Sequence, residues 1–278
     1  MKYLLPVLIC GIFLSGMSAC TAGPLPQPAL LTRDPSPSSN REVTVFAASS
    51  LTDAVDELAE AFQARMPGVK VLSNYAGSSS LATQLLEGGR ADLFASANQA
   101  QMDNVAQAGL LAAEPMIFAT NQLVAIVPQE NPAEIGSLAD LAKPGIRLVL
   151  ALPGVPVRDY TDALLASLDA DPAFGPAFST AVYANLVSEE TNVRQVAAKV
   201  ALGEADAGVV YVSDITPELA DAVLQIPPPE VHELRATYPI AVLAEASEPE
   251  LAAMFLAFVL SDEGQAILQR WGFGQRPE

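Results

Sequence analysis

The residues best placed to do chemistry are serines at the starts of helices. Ser49 and Ser50 follow the apolar run 43–48, and Ser78, Ser79 and Ser80 follow the run 69–74. A helix N-terminus carries unpaired N–H groups and about half a positive charge. A serine there either caps the helix or donates its hydroxyl to a bound anion. Singly, each serine reads as a plain cap. Two in the same topological position leave the cap and the anion site level. Such a site needs no Lys or Arg. Groups for other chemistry are scarce, because His232 is the single histidine and Cys10 and Cys20 are the two cysteines. That leaves little material for a zinc cluster, a Cys–His nucleophile or a disulfide scaffold.

The elements that must hold these serines alternate in type. Strands are expected at 43–48, 69–74, 91–95, 123–127, 147–150, 207–211 and 239–243. Helices are expected at 51–62, 81–86, 102–110, 158–168, 193–202, 249–260 and 263–271. In the first helix Leu51, Ala54, Val55, Leu58 and Phe62 share one face, with Asp53, Asp56, Glu57 and Glu60 mostly outside. Ser49 or Ser50 is placed to cap it, and Gly88-Gly89 closes the second helix. Strand–helix alternation predicts an α/β fold with parallel sheets. Two helix starts at the carboxyl ends of neighbouring strands would converge on one crevice.

Ahead of this domain lies a different kind of sequence. Lys2 and the apolar stretch 4–14 form a leader too short to span a bilayer, ending in Met17-Ser18-Ala19-Cys20. That ending resembles the lipobox of bacterial lipoproteins. Residues 1–19 are therefore expected to be a signal peptide and Cys20 a lipidated first residue. Residues 20–40 contain Pro24, Pro26, Pro28, Pro35 and Pro37 and read as a semi-rigid tether. The plan is anchor, tether and globular domain, held at a membrane in the periplasm or at the cell surface.

Composition narrows the partners. The 278 residues include 14 Lys+Arg against 32 Asp+Glu, a formal charge of −18. So acidic a chain is a poor nucleic-acid partner, because phosphate neutralisation needs clustered cations. Hydrophobic residues at 51% supply a large core. The charge does not steer an anion inward, so capture must rest on local dipoles.

Seven segments in order resemble the molybdate-binding proteins of ABC importers. They are Phe46-Ala47-Ala48-Ser49-Ser50-Leu51-Thr52-Asp53-Ala54, Tyr75-Ala76-Gly77-Ser78-Ser79, Ala91-Asp92-Leu93-Phe94-Ala95-Ser96-Ala97, Val155-Pro156-Val157-Arg158-Asp159-Tyr160, Asn192-Val193-Arg194, Gly208-Val209-Val210-Tyr211 with Ser213-Asp214, and Tyr238-Pro239-Ile240-Ala241-Val242. The resemblance runs from residue 43 to the end. It implies a two-lobed periplasmic-binding-protein clamshell (type II) with two crossover segments. Lobe 1 would comprise 41–121 and 239–278, and lobe 2 residues 122–238. It implies an oxyanion site with Ser50 and Ser78 in the first lobe, and Val157, Val193 and Tyr211 in the second. Val157 and Val193 would give backbone N–H groups, and Tyr211 its hydroxyl. Val193 follows Thr191-Asn192, a cap by residue type. The ligand implied is molybdate or tungstate, held as an oxyanion with no direct cation ligands and no cofactor. The partners implied are an ABC permease and the membrane, with the protein a monomer and not an enzyme.

Three other readings compete. One is a binding protein for another oxyanion such as sulfate. Neutral donors favour an ion without a proton, so hydrogen phosphate is disfavoured and sulfate must be rejected by size. Another is an exported serine hydrolase, which needs a base beside Ser50 or Ser78: His232, or a lysine such as Lys70, Lys143 or Lys199. No Gly-x-Ser-x-Gly elbow is present. The last is a structural lipoprotein. His232, Arg158 and Arg194 are expected in structural roles, His232 at a surface or strand position and the arginines in salt bridges on helix faces.

Overall fold

The computed structural model describes residues 41–276. The expected signal peptide 1–19, Cys20 and the tether 20–40 lie outside the described residues. The domain opens with β1 (Arg41–Ala48), α1 (Thr52–Arg65), β2 (Val69–Ala76), α2 (Ser78–Leu86), β3 (Leu93–Ala95), α3 (Gln99–Gln107) and β4 (Met116–Pro128). There follow β5 (Leu148–Ala151), α4 (Pro156–Asp169), α5 (Phe178–Tyr183), β6 (Leu186–Glu190), α6 (Val193–Ala201) and β7 (Ala207–Tyr211). The chain ends with α7 (Pro217–Ala220), β8 (Val223–Ile226), β9 (Arg235–Val242), α8 (Pro249–Val259) and α9 (Asp262–Arg270).

Hydrophobic periodicity accounts for most of these elements. In α1 the buried residues are Ala54, Val55, Leu58, Ala59 and Phe62, one stripe at helical spacing. Its inner end packs Phe62 edge-on against Phe255 of α8, with ring centroids 5.2 Å apart. In α6 the buried Val193, Val196, Ala197 and Val200 form a matching stripe. The strands β5 and β7 are buried along their whole length, as continuous apolar runs require when helices cover both faces.

The sheet order is β2-β1-β3-β9-β4-β7-β5-β6, with β8 pairing to β4. It corrects the expectation of parallel sheets. The pairs β1/β2, β1/β3, β5/β6 and β5/β7 are parallel, whereas β3/β9, β4/β9, β4/β7 and β4/β8 are antiparallel. The reason is the pair of strands at the centre. β4 runs 13 residues, far beyond the expected 123–127. It pairs with β9 up to Gln122 and with β7 from Leu123 onward. The polar Thr120-Asn121-Gln122 in mid-strand interrupts the apolar run and hides this length from a periodicity reading. β9 likewise begins at Arg235 instead of 239. These two antiparallel strands are the crossovers that connect the two ends of the sheet. The strands β6 and β8 and the helices α5 and α7 escaped the sequence reading, being short and weakly patterned.

Candidate functional site

The turn after β1 places the first serines. Ser49–Leu51 is a short 3₁₀ turn leading into α1, and both serines are buried. Neither caps α1 through its side chain, contrary to expectation. The cap position of α1 is Leu51, and Thr52 donates its hydroxyl to the Ser49 carbonyl at 2.8 Å. The Ser50 hydroxyl is engaged elsewhere, 3.1 Å from the Tyr238 hydroxyl. Ser78 is the first residue of α2, behind Gly77. Its Oγ accepts a hydrogen bond from the Ala97 backbone N–H at 3.0 Å, so it is no cap either.

Two further helix starts face these serines. Val155 is the cap position of α4, Pro156 fills its first turn without wasting a donor, and Val157 follows. Asn192 caps α6 as expected, its side chain accepting from the Gln195 N–H at 3.2 Å, and Val193 is the first helical residue. The N–H groups of Val157 and Val193 have no carbonyl four residues back within their helices. The starts of α2 and α6 approach so closely that a Cβ on Gly77 would lie 2.5 Å from the Thr191 carbonyl oxygen. Only glycine fits there.

Ser50, Ser78, Val157, Val193 and Tyr211 all line one cavity. Ala48, Ser49, Gly77, Ala97, Val155 and Pro156 also line it, and the void including its mouth is about 190 Å³. No Lys, Arg, His, Asp or Glu is among its lining residues. The Tyr211 hydroxyl is the outstanding group. Tyr211 is 1% exposed, and its hydroxyl is fully buried without a hydrogen-bond partner in the protein. Buried polar groups are almost always paired, and leaving one unpaired costs about 1–3 kcal/mol. Burial also pushes the phenol well above its usual range, with the neighbouring Tyr238 and Tyr160 adding to the effect, so it remains protonated and a donor.

Charged groups stand behind the cavity. Asp214, whose side chain is fully buried, accepts the Tyr211 backbone N–H at 3.0 Å. Burial raises its carboxyl to about 6, against the opposing pull of Arg194. The Arg194 guanidinium lies 3.2 Å from Asp214 and 2.5 Å from Asp53 of α1. This arginine was expected in a salt bridge on a helix face; it instead ties α6 to α1. Arg158 does pair on its own helix, with Asp162, and also with Glu189.

The bases that a hydrolase would need are engaged elsewhere. His232 lies in the 3₁₀ turn Glu230–His232, neither in a strand nor at an open surface, and bonds Ser167 at 3.1 Å and Asp171 at 2.8 Å. Lys199 pairs with Glu190, Lys143 with Asp140, and Lys70 lies near Glu42. Sequence reading missed Asn98, Asn121 and Tyr238. Asn98 caps α3 and donates to Asp159 at 3.0 Å, linking α3 to α4. Tyr238 was visible as part of a motif, but its contact with Ser50 was not.

Four helix starts on one cavity without a charged lining residue, set in a mixed α/β sheet, are the arrangement of a solute-binding protein of the periplasmic-binding type. The chain belongs to the family of bacterial extracellular solute-binding proteins, whose sequence model matches residues 43–274. That family places it outside the cytoplasm. It is 41% identical over 269 residues to the molybdate-binding protein ModA of Mycobacterium tuberculosis H37Rv, covering 96% of each chain. Among solved structures it is similar to the substrate-binding domain of a putative molybdenum ABC transporter from Clostridium difficile, with a TM-score of 0.63 and 28% identity over 85% of this chain and 99% of that one. The sulfate-binding protein SubI of M. tuberculosis H37Rv shares the fold, with a TM-score of 0.75 at 20% identity, covering 84% of this chain and 86% of that one.

Proposed function

We propose that the protein captures molybdate, or the nearly identical tungstate, for an ABC importer. The observation that carries this reading is the Tyr211 hydroxyl, a buried donor without a protein partner, on a residue that lines the same cavity as Ser50, Ser78 and the first turns of α4 and α6. A tetrahedral dianion gives every one of these donors an acceptor. Ser50 and Ser78 supply hydroxyls, Val157 and Val193 backbone N–H groups, and Tyr211 its phenol. Neutral donors at helix starts hold an anion with oriented dipoles and without a cation. The likeness to ModA, at 41% identity, supports molybdate as the ligand and a permease as the partner.

The wider arrangement belongs to the same reading. Lobe 1 is 41–121 with 239–278, and lobe 2 is 122–238. Partner exchange along β4 after Gln122 supports the first of these boundaries. Cleavage before Cys20 leaves a lipid-bearing cysteine, and residues 21–40 tether a monomeric domain to the membrane. The protein is a carrier and not an enzyme, and uses no cofactor. Calorimetric titration of the detergent-solubilised full chain with molybdate, tungstate, sulfate and phosphate tests the ligand. Strong binding of the first two alone is expected. Preference for sulfate overturns the molybdate reading, and silence with all four overturns the oxyanion site.

A further inference from the structure

Behind Ser50 runs a chain of hydrogen bonds that ends on the crossover strands. The Asn121 amide, on β4, is oriented by a group that has no choice. The Gln122 backbone N–H donates to it at 2.9 Å, so the atom facing that N–H is the amide oxygen. The Asn121 nitrogen is thereby turned inward. It donates to the Ser213 hydroxyl at 2.7 Å and to the Tyr238 hydroxyl at 3.3 Å. Tyr238, on β9, is 0% exposed, and its one hydroxyl hydrogen has Ser50 Oγ, 3.1 Å away, as its acceptor. Were the bond reversed, the buried phenol hydrogen would face only the donating amide. Burial raises the Tyr238 phenol well above its usual range, so that hydrogen is retained. Ser50 therefore receives a bond from behind, and its own hydrogen is left for the cavity. Ser78 is fixed alike, receiving the Ala97 N–H at 3.0 Å.

We propose that Asn121 and Tyr238 are positioning residues that lock Ser50 as a donor and so restrict the site to oxyanions carrying no proton. The proposal rests on the oxyanion reading above and adds the residues that impose its selectivity. A serine free to turn offers a lone pair as readily as a hydrogen, and so accepts the O–H of hydrogen phosphate. A serine already receiving the Tyr238 hydrogen presents only its own. The same amide also holds Ser213, two residues beyond Tyr211, so one side chain on a crossover strand braces groups on both sides of the cavity.

The test is Tyr238→Phe in the full chain, which keeps the ring that packs on Phe118, Tyr211 and Phe273. Molybdate, sulfate and phosphate are titrated calorimetrically at neutral pH against wild type. Molybdate and sulfate are expected to weaken together by about three- to tenfold, the loss of roughly one hydrogen bond's net contribution. Phosphate is expected to hold or gain, so its affinity relative to sulfate rises. Asn121→Leu, which removes the donor behind Tyr238, is expected to shift that ratio the same way. Equal weakening of all three anions in Tyr238→Phe marks a merely structural role and overturns the relay, as does no change at all. Wild type that binds none of the anions overturns the oxyanion reading and the relay with it. Wild-type binding with an unmoved ratio in Tyr238→Phe overturns the relay alone.

Discussion

The Arg194 guanidinium on α6 donates to the Asp53 carboxylate on α1 at 2.5 Å. One partner sits beside Val193 and the other three residues beyond Ser50, so this ion pair spans the same gap as the cavity. It is accompanied by Asn98 to Asp159 at 3.0 Å and by Gln101 to the Gly154 carbonyl at 3.0 Å. The first ties α6 to α1, and the other two tie α3 and its cap to α4 and the turn before it. Arg194→Gln should therefore loosen the hold of α6 on α1 beside the cavity. Release of molybdate is expected to accelerate by about three- to tenfold, since a partly buried pair with two carboxylates exceeds a typical surface pair. Stopped-flow release and the radius of gyration by X-ray scattering check this, and a rate equal to wild type would remove the latch.

Removing either serine hydroxyl should cost more than removing the latch. Hydrogen bonds to a charged group contribute about 1.5–3 kcal/mol, so Ser50→Ala or Ser78→Ala is expected to weaken molybdate roughly ten- to a hundredfold. Val157→Ala should do little, because its contribution is a backbone N–H. Unchanged affinity in the Ser50→Ala, Ser78→Ala double variant defeats the site assignment.

Tyr211→Phe separates binding from stability. Its hydroxyl has no protein partner, so deleting it relieves a buried unpaired donor. The ligand-free variant should unfold at the same temperature as wild type or higher. Its molybdate affinity should fall, though by less than in either serine variant, since the ring still packs. Thermal unfolding with and without molybdate reads both effects.

Asp214 gives the fold a pH dependence of unusual sign. Burial raises its folded carboxyl to about 6, above its unfolded value. The folded state thus binds the proton more tightly, and this group's contribution to stability is full at low pH and declines as pH rises through about 4 to 6. Carboxylates such as Asp206, held low by the Arg147 guanidinium against burial, act oppositely and lose their contribution on acidification. Asp214→Asn should remove only the first effect. The stability difference between variant and wild type is expected to move in favour of the variant between about pH 4 and 6. Urea unfolding across that range measures it, and a flat difference refutes it.

Cys20→Ser should release the protein from membranes, because two or more acyl chains are what hold such an anchor stably. Fractionation of cells expressing the variant is the check. Retention in the membrane fraction with the leader removed would exclude a lipid at Cys20.

Local pattern made a good part of the architecture legible. The stripe from Ala54 to Phe62 and the run 207–211 stand where periodicity put them, because burial on one face leaves a mark in every turn or strand. Five of the cavity residues were named through the family resemblance of ordered motifs, four of them at or beside helix starts and Tyr211 at the end of β7. The long crossover β4 was not legible, since Thr120, Asn121 and Gln122 look like a loop until β9 is seen beside them.

By itself the sequence determined the alternation of strands and helices, the neutral donors at the helix starts and the acidic exterior. These depend on neighbours a few positions apart, and short-range order is written in composition and spacing. Only the tertiary structure decided which way the donors point. Ser50 turned out not to be a cap because Tyr238, 188 residues away, claims its oxygen. Arg194 is a bridge and not a surface charge because Asp53, 141 residues away, lies across the gap. A hydroxyl's direction depends on whichever partner the folded chain brings within 3 Å or so, and no local pattern records that partner.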